Sequence, residues 1–255
     1  METRDLWAAL ERGEIEVHLQ SEVWLEDGRH FGFEAKPRMR AGEELYGGER
    51  FVPGAEHTAV SLPLARSLIE GACRELEARD RGRPDALVSV SPSGLGEPGI
   101  YETVAAALAT SGSMPSRLCL EVPAGAALSQ LETAGHAWHA LRELGVRFAI
   151  NGCGGANGGG DEIGALPLDP MASFQFDYVR VDRSLIRAVS RSAKARRMVA
   201  TIARAATDLD AIPVADGIET NTEAIAAFGL GCRIAQGPRF GLPLPPRAMA
   251  ASGYS

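Results

Sequence analysis

Residues 15–35 read IEVHLQSEVWLEDGRHFGFEA and contain two apolar, β-branched runs, at 15–25 and 31–35, which predict two strands. The only residues between Leu25 and His30 are Glu26, Asp27, Gly28 and Arg29. A connection this short cannot hold a crossover helix, so the two strands should form an antiparallel hairpin. The first strand is therefore predicted to run antiparallel to its neighbour.

Short apolar strands alternate with longer helical patterns along the rest of the chain. Further strands are predicted at 86–90, 117–122, 146–150, 178–181, 212–215 and 233–235. Eight strands alternating with helices in 255 residues fit an α/β fold, a (β/α)8 TIM-like barrel, better than an open doubly wound sheet. No linker or repeat divides the sequence, so we expect a single domain over residues 1–255.

Two helices are predicted from apolar spacing. One follows Ser61, a plausible N-cap, and carries Ala65, Leu68, Ile69, Ala72 and Leu76 before Gly82. A longer one should follow Asp182, because apolar residues keep the helical period as far as Leu209. The basic stretch 187–197 within it is interpreted as a solvated helix face.

The composition excludes several classes of protein. The chain has 26 Lys and Arg against 33 Asp and Glu, a formal charge of -7, and 45% hydrophobic residues, which fits a globular protein. The acidic balance argues against nucleic-acid partners, unless a local basic patch reverses it. No apolar run approaches the roughly 20 residues that span a bilayer, so we expect a cytoplasmic protein without direct membrane insertion. Four dispersed cysteines, at 73, 119, 153 and 232, are predicted to be reduced thiols.

Polar residues collect where the predicted strands end, and the C-terminal ends of barrel strands are where barrel sites are built. Together with Gln20 on the first strand they are Glu34, Ser89, Glu121, Asn151, Gly152, Arg180, Asp182, Asp216 and Gln236. A rim with several carboxylates and a guanidinium can hold a phosphate ester or a cation. It can also be an ordinary barrel rim.

The residues resemble a known family along most of the chain. The matching segments are HLQSEVWLEDGRHFGFEAKPR, FVPGAEHTAVSL, LVSVSPSGL, LCLEVPAGAAL, LRELGVRFAINGCGG, FDYVRVDRSLI, PVADGIET and FGLGCRIAQGPRFGLPLP. In this order they resemble the EAL domain, the barrel that hydrolyses the bacterial second messenger cyclic di-GMP. The resemblance implies a (β/α)8 barrel with an antiparallel first strand, in agreement with the hairpin.

The chain departs from the family at the positions that bind metal. Family enzymes are thought to use two divalent cations held by converging carboxylates, and Glu34 and Glu121 match two of these. The metal-binding Asn is matched by Ser89, and the paired aspartates are matched by Asn151 and Gly152. Further replacements are Ala124 for a glutamate, Arg180 for a lysine and Asp216 for a glutamate. These losses predict no bound metal, no cofactor and no useful phosphodiesterase activity.

The positions that are retained predict a ligand-binding rim. Arg38 matches the arginine of the extended E-A-L-x-R motif, which contacts a ligand phosphate, whereas the motif leucine is Lys36 here. The predicted ligand-binding residues are Gln20, Glu34, Arg38, Glu121, Arg180, Asp182, Asp216 and Gln236, with no catalytic and no metal-binding residue. The alternative for Arg38 is a simple ion pair with Glu34. The glycine-rich segment 152–160 replaces a family loop that couples dimerisation to metal binding, and its composition favours mobility.

The resemblance therefore implies a catalytically degenerate EAL domain that acts as a non-enzymatic cyclic di-GMP receptor or adaptor, with an output in motility or biofilm control. Two alternatives remain. One is a nucleotide-independent protein-interaction module on the same scaffold, and the other is residual phosphodiesterase activity. A protein partner in a signalling complex is expected, and because family members are often dimers, a homodimer is a further expectation.

Overall fold

The computed structural model describes residues 3–55, 58–77, 86–89, 95–124, 127–155 and 173–251. Its strands are β1 (Ile15–Trp24), β2 (His30–Ala41), β3 (Glu44–Gly47), β4 (Ala86–Ser89), β5 (Leu118–Pro123), β6 (Arg147–Cys153), β7 (Tyr178–Val181), β8 (Ile212–Ala215) and β9 (Ile234–Gln236). All eight predicted strands are found within this part of the chain, and β3 is an additional one.

The α-helices of the described residues lie between and around these strands. They are α1 (Thr3–Glu11), α2 (Val52–Ala55), α3 (Ser61–Glu77), α4 (Ile100–Ser111), α5 (Ala127–Leu144), α6 (Arg183–Ala188), α7 (Ala193–Asp208), α8 (Asn221–Gly229) and α9 (Pro246–Ala251). The predicted helix after Ser61 is confirmed as α3, while its predicted stop at Gly82 lies outside the described residues. No helix in the described ranges is long and apolar enough to cross a bilayer.

The strands close into a ring with the order β1-β9-β8-β7-β6-β5-β4-β2, and β1 pairs with β2 to complete it. The strand β1 is antiparallel to both of its neighbours, whereas β2 and β4 to β9 pair in parallel around the ring. The predicted α/β barrel with an antiparallel first strand is therefore confirmed. Outside the ring, β3 forms a hairpin with the end of β2, between Arg38 and Ala41.

The single long helix predicted after Asp182 is wrong. The chain forms two helices, α6 and α7, with a break between Val189 and Ser192. Ser192 has extended backbone angles, and its Oγ accepts a hydrogen bond from the Ala195 amide at 3.2 Å. A serine that caps a new helix in this way competes with helix continuation, and apolar periodicity alone does not reveal this.

Most buried apolar side chains lie between the ring of strands and the helices packed around it. They include Trp138 and Phe148, whose rings stack with centroids 3.6 Å apart. The four cysteines are all buried, and burial raises the pKa of Cys73 to about 11 and the pKa of Cys153 to about 12. The thiolate form of these two residues is therefore disfavoured. All four cysteines are free, in agreement with the prediction of reduced thiols.

Candidate functional site

The interior of the barrel is divided into an apolar layer and a charged layer above it. The apolar layer contains Phe31, Cys119, Ala149, Tyr178, Val214 and Ile234. Because side chains on one face of a strand recur every two residues, the next inward positions form a second layer. Four strands contribute Glu121, Asn151, Arg180 and Gln236 to this layer, and Asp216 joins them directly after β8; each lies two residues beyond an apolar one. The period of two therefore places an apolar layer inside the barrel and a charged site nearer to the C-terminal ends of the strands.

Arg180 is the centre of the charged layer. Its side chain is 1% exposed, and its Nη1 lies 2.5 Å from Glu22 Oε1 and 3.1 Å from Glu121 Oε1. Its Nη2 donates hydrogen bonds to Glu34 Oε2 at 3.2 Å and to Gln236 Oε1 at 2.6 Å. Asp216 Oδ1 is further away, at 3.8 Å. A permanent guanidinium charge therefore occupies the point on which the carboxylates converge.

Glu22 is the most deeply buried acid of this layer, with a side-chain exposure of 0%. Burial raises its pKa to about 8, helped by the negative charges of Glu34 and Glu121 and opposed by Arg180. Its second oxygen, Oε2, has no hydrogen-bond partner within the described chain. Near neutral pH the side chain is therefore mainly protonated, and it holds Arg180 without adding a full negative charge.

Glu34, unlike Glu22, is held in its ionised form. Burial alone would raise its pKa, but the positive charges of Lys36 and Arg180 outweigh burial and lower the pKa to about 2. Lys36 Nζ lies 2.7 Å from Glu34 Oε1. Burial likewise lowers the pKa of Lys36, and the charges of Glu34 and Asp216 more than compensate, so that its pKa is raised. The residue that replaces the motif leucine is thus a cation at the mouth of the site.

A cavity of about 340 Å³ opens above the charged layer. Its polar wall includes Glu34, Lys36, Arg38, Glu121, Asn151 and Arg183, and its apolar wall includes Val52, Pro53, Leu64 and Leu68. This volume and this mixture of apolar surface with a few charged groups are typical of small-molecule sites. Three cations at one mouth suit a ligand with more than one phosphate.

Arg38 does not form the ion pair that was the alternative interpretation. Its Nη1 donates a hydrogen bond to the carbonyl of Pro37 at 3.1 Å, and no described carboxylate lies within 4.0 Å of its guanidinium. Glu34 pairs instead with Lys36 and Arg180. The Arg38 guanidinium therefore keeps donors for a ligand in the cavity that it lines.

The other predicted ligand-binding residues do not line the cavity. Gln20 donates to the Gly241 carbonyl at 2.9 Å, and Gln236 is fully buried against Arg180. Asp182 caps α6, because its Oδ1 accepts from the Ser184 amide at 2.8 Å. Gln20, Arg180, Asp182, Asp216 and Gln236 do not line the cavity, whereas Glu34, Arg38 and Glu121 do. Direct ligand contact by the first five stays a prediction.

The structure describes Ser89 and only the first part of the glycine-rich segment 152–160. Ser89 pairs in register with Glu121 on the neighbouring strand, at the height of the charged layer. Of the glycine-rich segment, residues 152 and 153 end β6 and residues 154 and 155 follow it. Asn151 Nδ2 donates to Glu121 Oε2 at 2.8 Å. Residues 156–160, on which the expectation of mobility rests, lie outside the described residues.

Sequence reasoning missed Glu22 and Arg183. Glu22 lies two residues after Gln20 on β1, so the period of two that turns Gln20 inward also turns Glu22 inward, and this signal was available. Its partner Arg180 is 158 residues away in sequence. Their contact could therefore not be predicted without the closed barrel that brings the two strands together. Arg183 follows Asp182 directly and reaches the cavity because α6 begins at the end of β7.

The pKa of Glu22 predicts a pH-dependent stability. The native pKa is raised above the unfolded value, so the stabilisation is complete below the unfolded pKa and is lost as the pH rises through about 8. Relative to Glu22→Gln, the wild-type free energy of unfolding should fall by about 1.4 kcal/mol per pH unit between roughly pH 5 and 8. Urea unfolding across this range measures the slope. The exposed Glu26→Gln is the control, and equal slopes for the wild type and Glu22→Gln would contradict the burial argument.

Comparisons with known proteins identify the family. The sequence model of the EAL domain matches residues 3–243, so the chain belongs to the EAL domain family. It is 27% identical over 252 residues to a bifunctional diguanylate cyclase/cyclic di-GMP phosphodiesterase, MucR, of Pseudomonas aeruginosa. This match covers 97% of the chain but 36% of MucR, so the chain spans about a third of that relative's length.

The chain is also similar to a second, uncharacterized relative and to a solved structure. An uncharacterized protein of Mycobacterium tuberculosis is 32% identical over 248 residues, which cover 93% of the chain and 78% of that protein. The structure of the PaMucR phosphodiesterase in complex with cyclic di-GMP superposes with a TM-score of 0.86 at 25% identity. That comparison covers 96% of this chain and 98% of the other. The predicted membership of the EAL family and its barrel fold are confirmed.

Proposed function

We propose that this EAL domain is a non-catalytic receptor that binds cyclic di-GMP without metal and passes the signal to other proteins. The observation that carries the proposal is Arg180, which bonds Glu22, Glu34 and Gln236 and contacts Glu121 at the centre of the barrel mouth. The carboxylates that converge at the mouth, including Glu34 and Glu121, are therefore already paired with a buried cation.

The residues present do not fit the two divalent cations that the family implies. Both oxygens of Glu34 face cations, Oε1 facing Lys36 and Oε2 facing Arg180. Both oxygens of Glu121 face nitrogen donors as well, one on Arg180 and one on Asn151. A dication would have to displace these donors and approach a permanent positive charge, with no aspartate at positions 151 and 152 in compensation.

The cavity supports nucleotide binding independently of metal. Lys36, Arg38 and Arg183 supply positive charge for the two phosphodiester groups of cyclic di-GMP, and the apolar wall can cover purine surface. The PaMucR structure that resembles this chain was solved in complex with cyclic di-GMP. The buried Arg180 network then serves to hold the floor of the site rigid.

Arg38 gives the sharpest test of the ligand site. Replacing Arg38 with Ala should weaken cyclic di-GMP binding about ten-fold or more, because a charged hydrogen bond contributes about 1.5–3 kcal/mol. Isothermal titration in EDTA measures the affinity. Arg40→Ala is the matched control, since Arg40 lies on the same strand but is exposed and pairs with Glu16 at 2.5 Å. Equal affinities for both variants would remove Arg38 from the site.

A further inference from the structure

The surface formed by α6 and α7 is strongly basic in an otherwise acidic protein. Residues 183–207 contain seven of the 26 basic residues and none of the 33 acidic ones. We define the basic face as Arg183, Arg187, Arg191, Lys194, Arg197 and Arg204, all of which are exposed. This concentration of charge has no part in the fold core or in the charged layer of the barrel.

The geometry of α7 explains why these charges face solvent together. Its apolar residues Val199, Ile202 and Ala206 are buried against the barrel. Lys194, Arg197 and Arg204 lie at intervals of three and seven residues, so they share the opposite side of the helix. The face continues through Arg191, in the break between the helices, onto α6, because the Arg191 side chain donates to the Arg187 carbonyl at 3.5 Å.

Three of the five charges of the basic face that do not line the cavity have no ion-pair partner among the residues that the structure describes. Arg187 pairs with Glu219, and Arg204 pairs with Asp208 at 3.6 Å, in both cases between exposed side chains. For Arg191, Lys194 and Arg197, no carboxylate lies within 4.0 Å in the described ranges. The free donors of these three residues are available to an external anionic surface.

The chemistry of the face distinguishes between possible occupants. A second copy meeting the same face across a twofold axis would place like charges together, which is unfavourable. A membrane surface would gain no apolar insertion, since the apolar residues of α7 are buried. A nucleic acid longer than α7, which spans about 24 Å, would extend onto the remaining surface, where acidic residues are in excess.

We propose that the basic face docks an acidic segment of a partner protein. The face begins at Arg183, which also lines the ligand cavity, so a docked partner would lie directly beside the nucleotide site. The inference does not depend on nucleotide binding, because Arg191, Lys194 and Arg197 do not line that cavity.

The test uses the full chain and a fluorescent oligoglutamate peptide in anisotropy titrations. The basic-face variant combines Arg191→Glu, Lys194→Glu and Arg197→Glu. The control variant combines Arg12→Glu, Arg29→Glu and Arg66→Glu, which changes the net charge equally at exposed sites elsewhere. We expect the basic-face variant to lose about ten-fold or more in affinity, and the control to lose less than about three-fold, with a steep dependence on salt.

Two results would overturn the proposal. Equal affinities of the two variants for the peptide would show that net charge, and not the basic face, attracts the anion. Tighter binding of a duplex DNA oligonucleotide or of phosphatidylcholine–phosphatidylserine vesicles, lost in the basic-face variant, would assign the face to nucleic acid or to membrane. A thermal unfolding midpoint for each variant confirms that both are folded when the comparison is made.

Discussion

Replacing Arg180 with methionine is expected to lower the free energy of unfolding by about 3–5 kcal/mol. The variant keeps an unbranched side chain but removes the guanidinium, which leaves Glu34 and Glu121 without the cation that they share and Glu22 without its hydrogen-bond donor. Denaturant unfolding at neutral pH measures the loss. Arg187→Met is the control, because its ion pair with Glu219 is exposed and should contribute less than about 1 kcal/mol.

A double-mutant cycle makes this test specific. Glu22 has already lost its hydrogen bond from the guanidinium in Arg180→Met, so adding Glu22→Gln breaks no further contact between the two positions, and the two changes should cost less together than their sum. Additive losses would indicate that Glu22 and Arg180 act independently, despite their 2.5 Å contact. A stable Arg180→Met variant would contradict the view that this residue balances the charged layer.

The second large effect is a gain of function. Combining Ser89→Asn, Asn151→Asp, Gly152→Asp and Arg180→Lys returns four positions to the residues that the EAL family carries. Divalent cation binding should appear, and the linear dinucleotide should form at least about ten-fold faster than with the wild type, since carboxylates then replace nitrogen donors around Glu121. Mn²⁺ calorimetry and chromatographic detection of the product measure the two effects.

The backbone at position 152 permits this substitution. Gly152 has φ +77°, a conformation in which Asp and Asn are the best tolerated residues after glycine. A side chain there would first meet Asp182 Oδ2, at 4.0 Å, so space is available. The variant with Arg180→Lys alone is the control. If the quadruple variant binds no cation, the loss of metal chemistry has another cause than these four residues.

The sequence was sufficient to predict the barrel, because the four-residue connection after Leu25 permits nothing but a hairpin and the remaining strands alternate with helices. The strand ends pointed to Glu34 and Glu121 and the family motif to Arg38; all three line the cavity, and their contact with a ligand stays a prediction. The break between α6 and α7 could not be predicted from apolar spacing, because Ser192 decides it by a local hydrogen bond.

The role of Arg180 could not be predicted either. The sequence predicted Arg180 as a ligand-binding residue in place of a family lysine, whereas in the structure it is fully buried and does not line the cavity. Its partners Glu22, Glu34, Glu121 and Gln236 come from four other strands that only the closed ring brings together. Long-range charge compensation of this kind is a property of the tertiary fold.

The central claim is tested most directly by titrating the purified protein with cyclic di-GMP in EDTA and again with Mg²⁺, followed by analysis of the mixture for linear product. The account predicts the same micromolar or tighter affinity in both buffers and no product. Binding that requires Mg²⁺, or accumulation of the linear dinucleotide, would contradict it.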